Sequence, residues 1–527
     1  MPQASAAAFP RATVQALIDT QAQARPDAVY ALAADSGATL SFGQLARDAR
    51  SVVAWLRAHG SVPGDVVSLV MPNGLQTLRI LLGAMAGGWC VNPVNLLAQR
   101  EQMAHVLKHS DCTLVFVSPE REGLVRELLA TLGRDVSVIV VDPDSDAIPI
   151  AVSSAGQGDA AKPDVGNAAA QEAAWPMQPC ADAMALLMYT SGTTGVPKGV
   201  MLSEANLCAN AQAISGEHAL TSSDRVLAVL PLYHINAFVV TMLAPLAHGG
   251  SLVLPPKFSA ARFWEQAQAH ACTWLNVVPT MVSYLLEGDE PPAALALSIR
   301  FCRSASAALP PEHLRAFEQR FGIGIVETMG LTETAAPAFS NPMEPARRKI
   351  GAVGVASGCE AAVVDAALQP VANGATGEIV IRGPNVMRGY YKNPDATAAS
   401  FTTDGWLRTG DLGHRDGDGF YFVTGRIKEL IIKGGENIAP REIDEVLLRH
   451  PDVLDAAAVG MPDKHYGQDI LACVVLRDGC ARDQQSLRTF CEQHLGRYKT
   501  PREIRFVADL PRGPSGKVQR LKLLEWA

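Results

Sequence analysis

Residues 189–200 read Tyr-Thr-Ser-Gly-Thr-Thr-Gly-Val-Pro-Lys-Gly-Val and follow an apolar run at residues 183–188. The run reads as a buried strand that feeds a loop. Seven of the twelve loop residues are Gly, Ser or Thr, and a lysine, Lys198, stands near the end. Small residues let backbone N–H groups approach phosphate oxygens, hydroxyls add donors, and an ammonium offsets negative charge. A strand running into such a loop points to an α/β chain that grips a polyphosphate. It is not a Walker A loop, because Lys198 sits between Pro197 and Gly199 and no hydroxyl residue follows it.

Five hundred and twenty-seven residues exceed a single core and imply at least two domains, and 48% hydrophobic residues are enough to fill large ones. A net charge of −8 argues against nucleic acid as a partner. The start of the chain lacks the basic-then-apolar pattern of a signal peptide, and no apolar run reaches the length of a membrane span. The ten cysteines are scattered, with no Cys-x-x-Cys pair, so zinc and a disulfide framework are not expected. The expected setting is a reducing cytoplasm.

Residues 10–60 read as helix, strand pair and helix, with Ser41 placed to cap the second helix. Strands at residues 66–71, 112–117, 225–230 and 273–278 alternate with helical stretches at 78–86 and 203–215, the signature of a layered fold with a largely parallel sheet. Residues 143–180, rich in Asp, Ala, Gly, Ser and Pro, read as a long loop or insert. The strand at 225–230 ends in Pro231-Leu232-Tyr233-His234, where α/β sheets place ligand sites. A further strand runs into the small-residue turn at 304–308. Residues 351–422 are rich in short strands and glycine turns. From residue 429 onward the pattern is a smaller α/β unit with helices at 440–449 and 485–495 and strands at 456–460 and 471–476.

The loop at 189–200 resembles the signature loop of the adenylate-forming superfamily, which includes acyl-CoA synthetases, carrier-loading adenylation domains and firefly luciferases. Further stretches support the resemblance in the family's order, from about residue 25 to 525. They are Glu327-Thr328-Met329-Gly330-Leu331-Thr332-Glu333, the Trp406 to Gly413 run Trp-Leu-Arg-Thr-Gly-Asp-Leu-Gly, Gly425-Arg426-Ile427-Lys428, and Pro514-Ser515-Gly516-Lys517. The resemblance implies a large N-terminal domain, residues 1–427, of layered sheets and helices with a small β-barrel-like part. It also implies a small mobile α/β domain, residues 428–527, hinged at Lys428. It assigns ATP or AMP to Thr190, Ser191, Gly192, Thr193, Thr194, Gly195, Lys198, Ser306, Glu327, Thr328, Met329, Thr332, Asp411, Arg426 and Lys517. Asp411 would take the ribose hydroxyls, Glu333 would hold Mg²⁺, and Gly434 and Gly435 would flank the thiol tunnel. Lys517, Lys198, Thr332 and His234 are the implied catalytic residues. At Met329 the family usually carries an aromatic that stacks on adenine, which methionine does less specifically.

Two half-reactions are then expected. A carboxylate attacks the α-phosphate of ATP and expels diphosphate, and a thiol takes the acyl group from the adenylate. The chain runs ten residues past Lys517, so free coenzyme A is the expected acceptor. A separate carrier protein stays open as an alternative, as does a homodimer as the working assembly. A non-catalytic nucleotide-binding regulator would be expected to carry damaged motifs, and these are intact. Nothing in the sequence marks the oxygen chemistry of a luciferase. The run Arg303-Ser304-Ala305-Ser306-Ala307-Ala308-Leu309, with Ser340-Asn341-Pro342, resembles the oxalyl-CoA synthetase group. That implies a short polar acid such as oxalate or sulfoacetate, against a medium-chain or aromatic acid. The residues after Thr334 are Ala335, Ala336 and Pro337, where that group is more polar.

Overall fold

The computed structural model describes residues 12–145, 175, 178–190, 196–513 and 517–525. The stretch at 143–180 lies almost wholly outside them.

Continuous apolar runs such as Val66–Val70, Leu114–Val117 and Ser251–Leu254 are buried along their whole length. Strands covered on both faces belong to mainly parallel sheets, and two such sheets form. One has seven strands: Gly389–Tyr390, Lys198–Ser203, Met184–Thr190, Cys90–Pro93, Val66–Val70, Leu114–Val117 and Ser137–Val140, in that order. The other has nine, with Phe301–Ser304, Trp274–Val277, Arg225–Leu227 and Ser251–Leu254 as its parallel centre. The helix Leu75–Ala86 is buried at every residue. A helix buried on all sides needs cover on all sides, and its one charged residue, Arg79, pairs with Asp48 at 2.8 Å. The helix is part of one core that draws Val67, Leu69 and Phe116 from the first sheet and Leu252, Val253 and Trp274 from the second.

The capping expectation holds. Ser41 precedes the helix Phe42–Ala58, and its hydroxyl accepts from Gln44 N–H at 3.2 Å. Glu204, first residue of the helix Glu204–Glu217, does a less obvious job: its Oε2 accepts from Val14 N–H at 2.8 Å and so satisfies the start of the helix Val14–Ala24. Its Oε1 is buried without a partner, and burial pushes the carboxyl up to about 7. A folded-state pKa above the unfolded value means that this contribution to stability is full below about 4.5 and is lost as pH rises through about 7. The loss amounts to about 3 kcal/mol. Glu204→Gln keeps an acceptor for Val14 and removes the titration. Thermal unfolding from pH 5 to 8 is expected to show a flatter profile for this variant and greater stability than the parent at pH 8. A profile unchanged from the parent's would contradict the assignment.

The expected barrel-like part is an open sheet. Its four strands, Glu360–Val364, Gly377–Arg382, Leu407–Arg415 and Tyr421–Arg426, pair antiparallel in the order given, and the outer two do not pair with each other. Four strands are too few to enclose a core of their own. Ile379, Ile381 and Tyr421 pack instead on Ala338 and Phe339 from the end of the nine-stranded sheet.

Residues 431–506 build a five-stranded sheet around the long hairpin Val453–Asp463 and Gly467–Leu476. The helices Pro440–Leu447 and Gln484–Lys499 supply Ile443, Val446, Leu447, Leu487 and Cys491 to its core. The second helix is interrupted at Gly496, which has φ 73°. No described helix is long and apolar enough to cross a membrane.

Candidate active site

The two strands that flank the Gly/Ser/Thr loop pair with each other. Met184–Thr190 and Lys198–Ser203 run antiparallel, with Thr190 opposite Lys198. Ser191, Gly192, Thr193, Thr194 and Gly195 lie outside the described residues. Lys198 therefore starts a strand, and the next strand in the sheet, Gly389–Tyr390, brings Tyr390 opposite Val200. The Lys198 ammonium stands 4.8 Å from the centre of the Tyr390 ring, and the Tyr390 hydroxyl donates to Glu333 Oε1 at 2.8 Å. Three separate segments thus align Lys198, Tyr390 and Glu333. Tyr390 escaped the sequence reading because a two-residue strand carries no periodicity. The available signal was Gly389 before it: a Cβ at that residue would come within 2.6 Å of Thr397 Cγ2.

Thr332 and Glu333 open a single 3₁₀ turn after the strand Ile325–Leu331. Chain reversal here needs Ala335 and Ala336 at positive φ, 52° and 88°, and a Cβ at Gly330 would meet the Ala336 carbonyl oxygen at 1.9 Å. The buried Asn210 amide nitrogen holds the turn, lying 2.7–3.0 Å from the carbonyls of Thr334, Ala335 and Pro337. The run Ala335-Ala336-Pro337 is thus small because it is folded tightly.

Asp411 and Arg426 face each other across neighbouring strands and pair at 2.7 Å. Asp411 is 2% exposed, and its Oδ2 is buried with no partner. Burial pushes its carboxyl up, while Arg426 and Lys517 pull it back. An enclosed acceptor of this kind suits a hydroxyl donor. Lys517 lines a cavity, where it is partly desolvated by the surrounding protein. That desolvation lowers its pKa, Arg426 adds to the effect, and Asp411 and Glu333 oppose it.

At the other end, the turn Pro231-Leu232-Tyr233-His234 is fixed from the opposite sheet. Asn73 donates from Nδ2 to Leu230 O and accepts Leu232 N–H at Oδ1, each at 3.0 Å. Asn236–Leu243 continues as a π-helical stretch, a form met often at functional sites.

One cavity of about 1060 Å³ joins these ends. Thr190, Lys198, His234, Ser306, Thr332, Glu333, Arg426, Lys428 and Lys517 all line it. Asp411 adjoins two of the lining residues, Gly410 in sequence and Arg426 through their ion pair. Glu327, Thr328 and Met329 precede Gly330, which lines the cavity, on the strand Ile325–Leu331. The Glu327 carboxyl accepts backbone hydrogen bonds from Gly351 and Leu309 and is pushed up to about 7 by burial. The Thr328 side chain is buried, and Met329 packs on the core of the open sheet. Gly434 and Gly435 form an exposed hairpin turn at φ 56° and 88°, away from this cavity. Glu333 offers one carboxylate, and no cluster of three or more acidic, His or Cys ligands occurs among the described residues. A lone carboxylate completed by substrate phosphates is a normal Mg²⁺ donor set.

The chain belongs to the AMP-binding enzyme family, whose model matches residues 18–391, with the family's C-terminal domain matching residues 442–517. It is 57% identical over 515 residues to a sulfoacetate–CoA ligase of Cupriavidus necator, which covers 98% of each chain. It is 35% identical over 466 residues to an oxalate–CoA ligase of Arabidopsis thaliana, 88% of each chain. The ATP-bound crystal structure of MatB from Rhodopseudomonas palustris superposes with a TM-score of 0.87 at 28% identity, over 98% of this chain and 99% of that one.

Proposed function

We propose that this cavity joins a short acid carrying a second polar or negative group to coenzyme A, at the expense of ATP, through an acyl-adenylate. The observation that carries the reading is the convergence of Lys198, Arg426 and Lys517 with Glu333 at one end of a cavity whose other end is the His234 and Ser306 turns. Adenylation brings a carboxylate against a polyphosphate. Three cations offset that repulsion, and preorganised donors hold the attack in line. In this reading Lys198 and Thr332 contact the phosphates, with Tyr390 holding Glu333 in place. Asp411 receives the ribose hydroxyls on its unpartnered oxygen, and Arg426 fixes Asp411. Glu333 would hold Mg²⁺, which supplies charge neutralisation at the phosphates.

Residues 428–527 are the mobile unit, turning at Lys428 so that Lys517 leaves and the Gly434–Gly435 turn approaches for thiol transfer. Sulfoacetate and oxalate are the leading acids, by the relatives' activities and the small-residue turn at 304–308. All ten cysteines are free and seven of them buried, which fits a reducing cytoplasm. The test is kcat/KM for sulfoacetate, oxalate and malonate against acetate, hexanoate and 4-coumarate, each with ATP and CoA. A site built on hydrogen bonds and charge is expected to favour the first group by about 100-fold or more. Preference for hexanoate or 4-coumarate would overturn the substrate class and leave the ligase chemistry standing.

A further inference from the structure

Several buried or half-buried arginines of this fold carry a carboxylate partner: Arg300 with Asp224, Arg348 with Glu318, Arg408 with Glu378 and Arg426 with Asp411. Arg303 differs. It sits on the strand Phe301–Ser304 at 1% exposure, and no carboxylate pairs with it among the described residues. Its Nη1 donates to Asn236 Oδ1 at 2.8 Å and to Asn276 Oδ1 at 2.9 Å, and its Nε is buried with no partner. Burial alone pulls it down to about 9, which still leaves a cation at neutral pH. His218, close enough to feel the charge, is held neutral by burial and by Arg303 itself, so it neither adds to nor cancels it.

The amides relay this charge to the cavity. Asn236 Oδ1 also accepts from Asn276 Nδ2 at 3.3 Å, so two donors fix which way the Asn236 amide faces. Its Nδ2 then points toward Ser306 Oγ, 3.3 Å away. Asn236 and Ser306 both line the cavity beside His234. Ser306 is held at φ 75°, a left-handed conformation that serine rarely adopts, and this sets its hydroxyl at the wall. A buried cation with no counter-ion is costly to a fold unless an anion completes it.

We propose that Arg303 is a specificity-determining positioning residue: through Asn236 and Ser306 it prepares one end of the acyl pocket for the second anionic group of the acid. This rests on the substrate class argued above and adds the residue that selects it. The guanidinium need not touch the acid. Its charge favours an anion at this end, and its hydrogen bond keeps the Asn236 N–H donors turned toward it.

Sulfoacetate and methylsulfonylacetate test this directly, being similar in shape and differing by one negative charge. The full chain is assayed with each acid, ATP and CoA. The parent enzyme is expected to favour sulfoacetate by about 100-fold in kcat/KM. Asn236→Asp puts a carboxylate on Arg303 with almost no change in volume. It is expected to erase most of that preference through a higher KM for sulfoacetate, with a much smaller change for methylsulfonylacetate. Arg303→Met is expected to act in the same direction. Should it fail to fold by thermal denaturation, Asn236→Asp decides alone. An unchanged ratio in Asn236→Asp, with both acids falling together, would overturn the role of Arg303. A parent enzyme with no preference between the two acids would overturn the substrate class on which it rests.

Discussion

Lys517→Ala is expected to slow adenylate formation by about 10²–10³-fold, the scale of losing one preorganised charge or donor at a transition state. Transfer from a supplied acyl-adenylate to CoA is expected to stay within a few-fold of the parent. The basis is position: Lys517 lines the cavity close enough to Asp411, Glu333 and Arg426 to exchange electrostatic influence with all three. Its cation is needed while charge builds on the phosphates, and it has no such task once diphosphate has gone. Enclosure also lowers its pKa, so the alkaline limb of the adenylation profile should fall at a lower pH than an ordinary lysine would give. Equal losses in both half-reactions would make Lys517 structural.

The second large effect is expected at Lys428. It lies in the one-turn 3₁₀ segment Ile427–Glu429, which joins the strand carrying Arg426 to the five-stranded sheet. Proline there fixes φ near −65° and restricts Ile427 before it, so the chain can no longer turn freely at this point. Diphosphate release in a single turnover should persist, with adenylate accumulating on the enzyme while thioester formation becomes rate-limiting. Rapid-quench measurement of both products separates the steps. Unaltered thioester formation would show that residues 428–527 need not turn at Lys428.

The features read from the sequence are those whose physics is local. Apolar runs buried on both faces declared themselves as strands, and Ser41 marked a helix start by its hydroxyl. The helix Leu75–Ala86 was read three residues short because Gly74 at its start offers no side-chain cap. What stayed hidden depends on partners far along the chain. Tyr390 matters only because Lys198 and Glu333 flank it. Arg303 reads as one basic residue in a strand until its partners prove to be two asparagines, with no paired carboxylate among the described residues. Glu327, Thr328 and Met329 were grouped with the nucleotide by the resemblance of the whole run, and of that run Gly330, Leu331, Thr332 and Glu333 line the cavity.

One cavity is expected to perform adenylation and then thioester formation. The most direct measurement incubates the enzyme with ATP, Mg²⁺ and sulfoacetate, first without and then with CoA, and follows diphosphate, AMP and acyl products by mass spectrometry. Without CoA, about one sulfoacetyl-adenylate should stay bound per chain. On adding CoA, continuous turnover is expected, with AMP, diphosphate and sulfoacetyl-CoA in equal amounts. Release of ADP and phosphate, or a thioester formed with no adenylate detectable at any time, would contradict that expectation.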